Sequence, residues 1–530
     1  MSSRNHDHGS DGGRTVYAPR GMVCSVDHLA SSAGVALLRA GGSAADAAVG
    51  SSAVLAVTTQ HMCGMGGDLF ALVHDGGAAP AALAAVGRAG SGADPAAMRA
   101  EGLTEMPMRA DVRSATVPGC VDGWLALHGR FGRLPLADVL APARDYAANG
   151  FPVSPLLARA TRNVAGQVAG ADDFLRPGGL RTGDRVRRPM VARVLDDIVW
   201  RGRFGFYGGR FGDGLLALGG GLFTREDLEH SLAQWEQPLR VRAWDRDIWT
   251  VPPPSQGYLS LAGARIAAGL DLPDDPDHPS WVHLLSESAR WAGHDRDAVL
   301  FDRPDGSDLL THQRLDARRA AIDPERRTGP AVPAAGGGTI HLCAVDGDGM
   351  GVSLIQSNAA GWGCHLVVPG TGIFLQNRGI GFSLAAGHPA ELAPGRRPPH
   401  TLAPALVTNG RRLAAVLGTQ GGDLQPQVVL QLLARVLHHE QTPGEAVYAP
   451  RWSLGDGGFS TWAGAGPQVT MLESTAPPSW ELGLAERGHR VVRAAAGANF
   501  GHAQLIALRG DGQLAGASDP RAITGAAVGW

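Results

Sequence analysis

Thr339 stands directly after three glycines, Gly336-Gly337-Gly338, and opens a strand-like run. Two interpretations compete. Thr339 is a β-prone residue after a flexible loop, which position alone favours, or the chain is cut before it. A threonine at a new N-terminus carries both a nucleophile and a base, because its α-amine has a pKa of about 8 in model peptides and can accept the hydroxyl proton. Gly338 lacks a Cβ, so the peptide bond before Thr339 can adopt a conformation open to attack by that hydroxyl.

A second glycine pair could stabilise the oxyanion of such a reaction. Gly421 and Gly422 lie between an apolar strand, Leu413 to Leu417, and a helix start at Pro426-Gln427. Backbone N–H groups that precede a helix can point at a developing negative charge. Glycine turns before helices are also common in purely structural roles, so this pattern alone does not decide between the two interpretations.

The elements around Thr339 predict a β-hairpin. Thr339 to Val345 and Met350 to Ser357 are predicted strands, and the turn Asp346-Gly347-Asp348-Gly349 joins them because Asp-Gly pairs accept positive φ. A faint similarity of this turn to a calcium loop is fully explained by the hairpin. A helix is predicted further on, from Gln427 to His438.

The N-terminal half has mainly helical patterns. Apolar spacing predicts a helix from Asp27 to Ala40, and a second, buried helix from Ser43 towards Val57. Leu69 to His74 is predicted as a short buried strand, residues 151–330 as mixed but mostly helical, and residues 326–338 as a mobile linker. Helices outside paired sheets, an α+β layered fold, suit this order of elements.

Composition limits the classes of function. Hydrophobic residues make up 44% of the 530 residues and charged residues 18%, which is typical of a globular protein. The formal net charge of −3 gives no electrostatic basis for binding nucleic acid or an anionic membrane. The five cysteines show no CxxC pair, and no carboxylate or cysteine stands at ligand spacing from the histidine pairs. We therefore expect a small-molecule substrate and neither a metal nor a cofactor.

The N-terminus carries no targeting pattern. Residues 1–20 are polar and are predicted to form a disordered tail. They include no apolar segment of a secretory signal, and no apolar run approaches the length of a membrane span. A cytoplasmic protein is the expectation.

Several short motifs follow one another in a recognisable order. They are Gly41-Gly42-Ser43-Ala44-Ala45-Asp46-Ala47-Ala48, Gly64-Met65-Gly66-Gly67, Thr116-Val117-Pro118-Gly119, Thr339-Ile340-His341 and Pro394-Gly395-Arg396-Arg397-Pro398. Through them the chain resembles the γ-glutamyltransferase family of N-terminal-nucleophile hydrolases from about Gly21 to its C-terminus. The stretch around Ser357 is more similar to the acylase and amidohydrolase members than to the glutathione enzymes.

The resemblance implies a fold, a cut and a set of roles. The fold would be a four-layer αββα sandwich, in which a large subunit, residues 21–338, and a small subunit, residues 339–530, share one site after autoproteolysis between Gly338 and Thr339. Thr339 would be the nucleophile and its α-amine the base, and Gly421 and Gly422 would form the oxyanion hole. The two subunits of one precursor are the expected partners, and a homodimer of such heterodimers remains open.

The resemblance also implies positions for the groups around the substrate. Ser357 would help to hold the threonine, and Arg88 would bind a substrate carboxylate. The family's Ser-Ser pair for the carboxylate is His400-Thr401 here, and its acid for the α-amine is Gly381, with Arg378 adding positive charge nearby. An ammonium group would lose its counter-charge, so an acyl group with a carboxylate and no α-amine is expected.

Arg378, Thr401, Asn358 and His400 are therefore candidate substrate-binding residues, although His400 can equally be a hydrogen-bonded structural histidine. The predicted reaction is hydrolysis of an amide, or acyl transfer to an amine. Three alternatives remain open: a genuine γ-glutamyl hydrolase or transpeptidase, a C–C bond hydrolase of a natural-product pathway, and an uncleaved, inactive protein that only binds a ligand.

Overall fold

Two seven-stranded sheets form the centre of the protein. The structure is a computed structural model, and it describes residues 14–164, 167–171, 175–176, 178–330, 338–455, 469–494 and 500–530. A purely apolar cluster lies between the sheets, with Phe70 and Cys343 contributed by one sheet and Trp249 and Val416 by the other. The sheets therefore pack face to face, as in other sandwiches.

The strands of each sheet come from both halves of the chain. The first sheet has the spatial order Ala526–Gly529, Met22–Ser25, Gly338–Val345, Gly351–Ala359, Asp68–His74, Ala81–Ala85 and Ala233–Glu236. The second sheet has the order Val16–Ala18, Leu514–Ser518, His502–Leu508, Arg412–Gln420, Ala405–Asn409, Arg246–Thr250 and Leu239–Ala243. All their pairings are antiparallel.

Helices cover the outer face of each sheet. Those over the first sheet are His28–Arg39, Ala44–Thr58, Cys120–Phe131, Leu136–Asn149, Pro155–Val164, Pro189–Arg201, Arg203–Tyr207 and Arg210–Gly219. Those over the second are Tyr258–Ala267, Pro279–Gly293, His312–Ala320, Gln425–Leu433, Pro443–Tyr448 and Pro478–Glu486. The predicted αββα sandwich is thus confirmed. In the described ranges, no helix combines the length and apolarity needed to cross a bilayer.

Shorter elements complete the chain. They are the helices Pro95–Ala100, Arg225–Glu229 and Arg296–Val299, the 3₁₀ turns Val112–Ser114, Ser307–Leu310, Arg378–Gly381, Gly422–Leu424 and Pro520–Ala522, the π turn Ala434–His438, and the strands Phe151–Pro152, Arg185–Val186, Val367–Val368, Ile373–Phe374, Trp452–Leu454, Val469–Leu472 and Arg490–Arg493.

The first two helices follow from their caps and their apolar content. The Asp27 side chain accepts a hydrogen bond from the Leu29 N–H, and Gly41 with φ of 93° follows the helix end. Ser43 and Asp46 then form a reciprocal capping box, and every residue of Ala44–Thr58 is buried. Both helices and the hairpin after Thr339 confirm the predictions made from spacing.

Two predictions about the elements need correction, and one region needs more detail. The ordered chain begins before Gly21, because Val16–Ala18 pairs with Leu514–Ser518 at the edge of the second sheet; residues 1–13 lie outside the described residues. Residues 233–250, within the region predicted as mixed and mostly helical, form three strands. The proposed linker begins later than Arg326, because the buried Glu287 carboxylate accepts hydrogen bonds from the backbone N–H groups of Thr328 and Gly329. Residues 331–337 lie outside the described residues.

Gly66 brings the turn 64–67 into backbone contact with the segment that leads to Arg378. Its carbonyl accepts a hydrogen bond of 2.9 Å from the Gln376 N–H, and a Cβ on Gly66 would lie 2.2 Å from the Phe374 carbonyl oxygen. We expect Gly66→Ala to lower the free energy of unfolding by about 1–3 kcal/mol, because backbone must move to admit the methyl group. Denaturant midpoints measure this effect.

Gly129 provides the matched control for that substitution. It lies exposed in the helix Cys120–Phe131 with open space around its Cα, so Gly129→Ala should stabilise the protein slightly. Equal midpoints for the two variants would show that the close approach at Gly66 contributes nothing.

Candidate active site

Thr339 lies at the centre of the first sheet, at the start of the strand Gly338–Val345. It pairs with Ser357, whereas Gly338 pairs with Ala359, so Asn358 is an extra residue in the neighbouring strand. Such bulges re-aim side chains and are frequent next to active sites. The Thr339 side chain is fully buried in the uncleaved chain, and its Oγ1 lies 3.0 Å from Ser357 Oγ.

Ser357 Oγ is the hub of this group. It lies 2.7 Å from the carbonyl oxygen of Gly338, the residue before the nucleophile, and it accepts a hydrogen bond of 2.8 Å from the Ala359 N–H. Arg378 Nη2 donates a further hydrogen bond to it over 2.9 Å. One hydroxyl therefore contacts the predicted nucleophile, the predicted scissile carbonyl and a guanidinium group.

Arg378 connects the hub to Thr401. Its Nη1 donates to Thr401 Oγ1 over 3.0 Å, and the arginine is almost completely buried. Burial lowers the pKa of Arg378 to about 10, while the carboxylates of Asp68 and Asp423 act in the opposite direction. The guanidinium thus remains charged at neutral pH, in a place where water does not solvate it.

Gly421 and Gly422 directly follow Arg412–Gln420, the central strand of the second sheet. Their φ angles are 142° and 58°, values that side chains other than glycine rarely adopt. Within the described part of the chain, neither backbone N–H is the donor of a hydrogen bond to another backbone group. Two N–H groups without a backbone acceptor fit the predicted oxyanion hole.

Gln256 couples the glycine pair to the arginine. Its Nε2 donates to the Thr401 carbonyl over 2.8 Å and to the Gly422 carbonyl over 2.9 Å. Its Oε1 accepts a hydrogen bond from Arg296, which also binds the Asp423 carboxylate. A continuous set of polar contacts therefore runs from Thr339 through Ser357, Arg378, Thr401 and Gln256 to the loop that contains Gly421 and Gly422.

Asp68 is a buried carboxylate beside this set, and the sequence analysis assigned it no role. Its Oδ1 accepts hydrogen bonds of 2.9 Å from the Gly87 N–H, 3.1 Å from the Gly119 N–H and 2.9 Å from Gln376 Nε2. Its Oδ2 lies 3.2 Å from His400 Nε2. The only signal in the sequence was its place after the glycine-rich turn 64–67, where a carboxylate can accept hydrogen bonds from backbone N–H groups.

His400 makes its hydrogen bonds within the protein. Its Nδ1 accepts from the Leu402 N–H over 3.5 Å, so Nε2 carries the proton that faces Asp68. Burial lowers the pKa of His400 to about 3, with Arg378 acting in the same direction, so the ring is neutral. Both nitrogens are engaged within the protein, which fits the structural alternative that the sequence left open for His400.

Among the described residues, two further predicted side chains make no hydrogen bond to Thr339, Ser357 or Arg378. Arg88 is about one-third exposed, donates 2.9 Å to the Gly395 carbonyl and lies 3.8 Å from Asp302, so the structure does not join it to Thr339. Asn358 is buried at the bulge and donates 3.1 Å to the Gln60 carbonyl. Its Oδ1 has no hydrogen-bond partner among the described residues.

Comparison with known proteins places this arrangement among the relatives of one family. Residues 30–529 match the model of gamma-glutamyltranspeptidase. The chain is 36% identical to the glutathione hydrolase-like YwrD proenzyme of Bacillus subtilis over 97% of this chain and 99% of the relative. It is also 36% identical to the oxamate amidohydrolase proenzyme of Klebsiella pneumoniae, over 96% of this chain and 98% of that one.

A solved structure extends the match to the whole fold. Cephalosporin acylase from Bacillus halodurans superposes with a TM-score of 0.89 and 31% identity, covering 100% of this chain and 99% of the acylase. The predicted resemblance is thereby confirmed. The chain belongs to the gamma-glutamyltranspeptidase family and is a self-processing hydrolase of the N-terminal-nucleophile type.

Proposed function

We propose that the chain is an amidohydrolase whose acyl donor carries a carboxylate close to the scissile amide. The observation that supports this is the state of Arg378. Its guanidinium is buried, yet among the described residues it donates only to the hydroxyls of Ser357 and Thr401, and its Nε has no partner. A buried cation without a hydrogen-bonded carboxylate is costly, and a substrate carboxylate would offset that cost.

The proposed reaction begins with a cut between Gly338 and Thr339, which yields subunits of residues 21–338 and 339–530 with any N-terminal tail attached to the first. The free α-amine of Thr339 takes the hydroxyl proton, and Oγ1 attacks the amide carbonyl of the substrate. The N–H groups of Gly421 and Gly422 stabilise the oxyanion. The C–N bond then breaks, the amine leaves with the proton, and water hydrolyses the resulting threonine ester.

The position of Arg378 favours short acyl groups. Only the Ser357 hydroxyl separates the guanidinium from Thr339 Oγ1. A relative at 36% identity is named for oxamate, whose carboxylate is attached directly to its amide carbonyl. We therefore propose oxamate and its homologues succinamate and glutaramate as the substrate class, with the carboxylate paired to Arg378.

The same geometry argues against a γ-glutamyl donor. Gly381 occupies the position that the resemblance assigns to the acid for the α-amine, and a Cβ there would lie 2.5 Å from the Pro399 carbonyl oxygen. No carboxylate can project from this position without a backbone shift. An α-ammonium group would instead meet the charge of Arg378, which disfavours its binding.

A substrate panel on the wild-type enzyme tests this proposal. We expect kcat/KM for oxamate, succinamate or glutaramate to exceed that of uncharged amides of equal length, such as pyruvamide for oxamate, by roughly 10- to 100-fold, because a charge-assisted hydrogen bond contributes about 1.5–3 kcal/mol. A γ-glutamyl anilide should be a poor substrate. Equal rates for charged and uncharged amides, or a preference for the γ-glutamyl compound, would contradict the proposal.

A further inference from the structure

We infer that Arg378 also acts before the mature enzyme exists, by directing the Ser357 hydroxyl to donate to the scissile carbonyl during self-cleavage. This inference rests on the proposed cut between Gly338 and Thr339. It concerns a positioning residue, because Arg378 reaches the reacting carbonyl through Ser357. The family resemblance assigned Arg378 only to the neighbourhood of the substrate.

The hydrogen-bonding capacity of Ser357 carries the argument. A serine hydroxyl has one hydrogen and two lone pairs. The Ala359 N–H and Arg378 Nη2 donate to Oγ over 2.8 and 2.9 Å, so they occupy both lone pairs. The single hydrogen must therefore point elsewhere, and the shortest remaining contact is the Gly338 carbonyl oxygen at 2.7 Å.

This assignment excludes one role for Ser357 and supports another. With both lone pairs occupied, Ser357 cannot accept the hydroxyl proton of Thr339, so it is not the base for self-cleavage. As Thr339 Oγ1 bonds to the Gly338 carbonyl carbon, negative charge develops on the oxygen that Ser357 contacts. The Gly338–Thr339 C–N bond then breaks, and the hydroxyl proton moves to the released amine. Water finally hydrolyses the ester to free Gly338 carboxylate and Thr339.

The charge of Arg378 strengthens this donor. The guanidinium is buried and no carboxylate is hydrogen-bonded to it within the described residues, so its charge acts on Ser357 from 2.9 Å with little screening by water. A cation that donates to a hydroxyl polarises the O–H bond and makes it a better donor in turn. The stabilisation grows as the carbonyl oxygen becomes an oxyanion, so it lowers the barrier rather than merely holding the ground state.

Self-cleavage without substrate measures this effect. Pulse-chase labelling in cell-free translation gives the rate at which the precursor divides. We expect Arg378→Gln to slow division at least about tenfold, by analogy with the loss of an oxyanion donor, and Arg378→Lys to retain more of the rate because it keeps the charge. Arg435→Gln is the matched control, since Arg435 is equally buried but packs over Trp281 in the helical layer of the second sheet; it should divide at the wild-type rate.

Two further measurements separate this role from a structural one. Ser357→Ala should slow division similarly, and in the Ser357→Ala background Arg378→Lys should have no additional effect, because the two residues act in series. Hydroxylamine cleaves an ester but not an amide, so it should not restore division of Arg378→Gln if the first step is impaired.

Three results would overturn the inference: wild-type division of a folded Arg378→Gln precursor, additive effects of Arg378→Lys and Ser357→Ala, or restoration by hydroxylamine. The double-variant comparison retains the charge and so remains decisive even if Arg378→Gln does not fold. Because no substrate is present, these outcomes are independent of the substrate panel. The preference for charged amides can be absent while self-cleavage still depends on Arg378. Equally, the preference can be present while self-cleavage does not depend on Arg378.

Discussion

Thr339→Ala is expected to yield a single chain of about 55 kDa that neither divides nor hydrolyses amides. The substitution removes the hydroxyl for both reactions, and without division no α-amine forms to act as base. Activity should fall by roughly 10⁴-fold or more, the scale seen when a covalent nucleophile is lost. The fold should persist, because the one polar contact of Thr339 Oγ1 among the described residues is with Ser357 Oγ, at 3.0 Å.

Intact-mass spectrometry of freshly purified protein measures this prediction directly. Wild-type protein should give two chains that meet at Gly338 and Thr339, and their masses should sum to the precursor plus one water. Thr339→Ser is the control, since it keeps a hydroxyl at the same place and should still divide. A wild-type chain that remains whole would leave no free amine at Thr339 and would favour the inactive, ligand-binding alternative.

Asp68→Asn is expected to lower the free energy of unfolding by about 3–5 kcal/mol and to abolish most activity. Asp68 is one of two carboxylates that raise the pKa of Arg378. Removing its charge leaves the buried guanidinium less well compensated, which is strongly destabilising. An amide has one acceptor oxygen, whereas the Asp68 carboxylate serves four donors through two oxygens. The NH₂ group of the asparagine in this variant would face the proton on His400 Nε2.

Denaturant midpoints and kcat/KM report the two parts of this prediction. Asp213→Asn is the matched control, because Asp213 pairs with Arg225 on the surface and both side chains are about 60% exposed. Such pairs contribute about 0–1 kcal/mol, so this variant should behave as wild type. Equal midpoints for the two variants would mean that Asp68 does not organise the site.

The hairpin and its glycines could be predicted because local chemistry decides them. Asp346 illustrates this, since its Oδ1 accepts hydrogen bonds from the N–H groups of Asp348 and Met350, and Gly349 takes φ of 84°. Helix caps at Asp27 and Ser43 are local in the same way. Buried apolar runs such as Ala44–Thr58 have a length that only a helix suits.

The strands in region 233–250 were missed because arginine and aspartate hid a two-residue period. In Leu239–Ala243 the residues alternate between buried and exposed, and Arg240 and Arg242 lie on the exposed face near Asp247 of the next strand. The pattern was present but short. The segment Leu239–Ala243 becomes a stable part of a sheet by pairing with Arg246–Thr250, which in turn pairs with Ala405–Asn409.

As in the fold, the parts of the site that depend on local sequence could be predicted, and the parts that depend on distant residues could not. Thr339 and the glycine pair could be singled out from glycine placement, and the resemblance added Ser357. Asp68 and Gln256 could not be assigned, because each acts through partners far away in the chain: Asp68 through His400 and Gln256 through Gly422. A lone buried carboxylate or amide has no sequence pattern, and its meaning arises only when the fold brings its partners together.

The interleaved sheets have a consequence for refolding after heat denaturation. Each sheet combines strands from before and after Thr339, so the two chains of an enzyme divided there are expected to stay joined by backbone hydrogen bonds. Recovery from heat, however, becomes a bimolecular event after division, and its yield should fall on dilution. An undivided Thr339→Ala chain recovers as one molecule at any dilution. The undivided chain should therefore unfold reversibly, whereas the working lifetime of the divided enzyme should depend on its rate of unfolding.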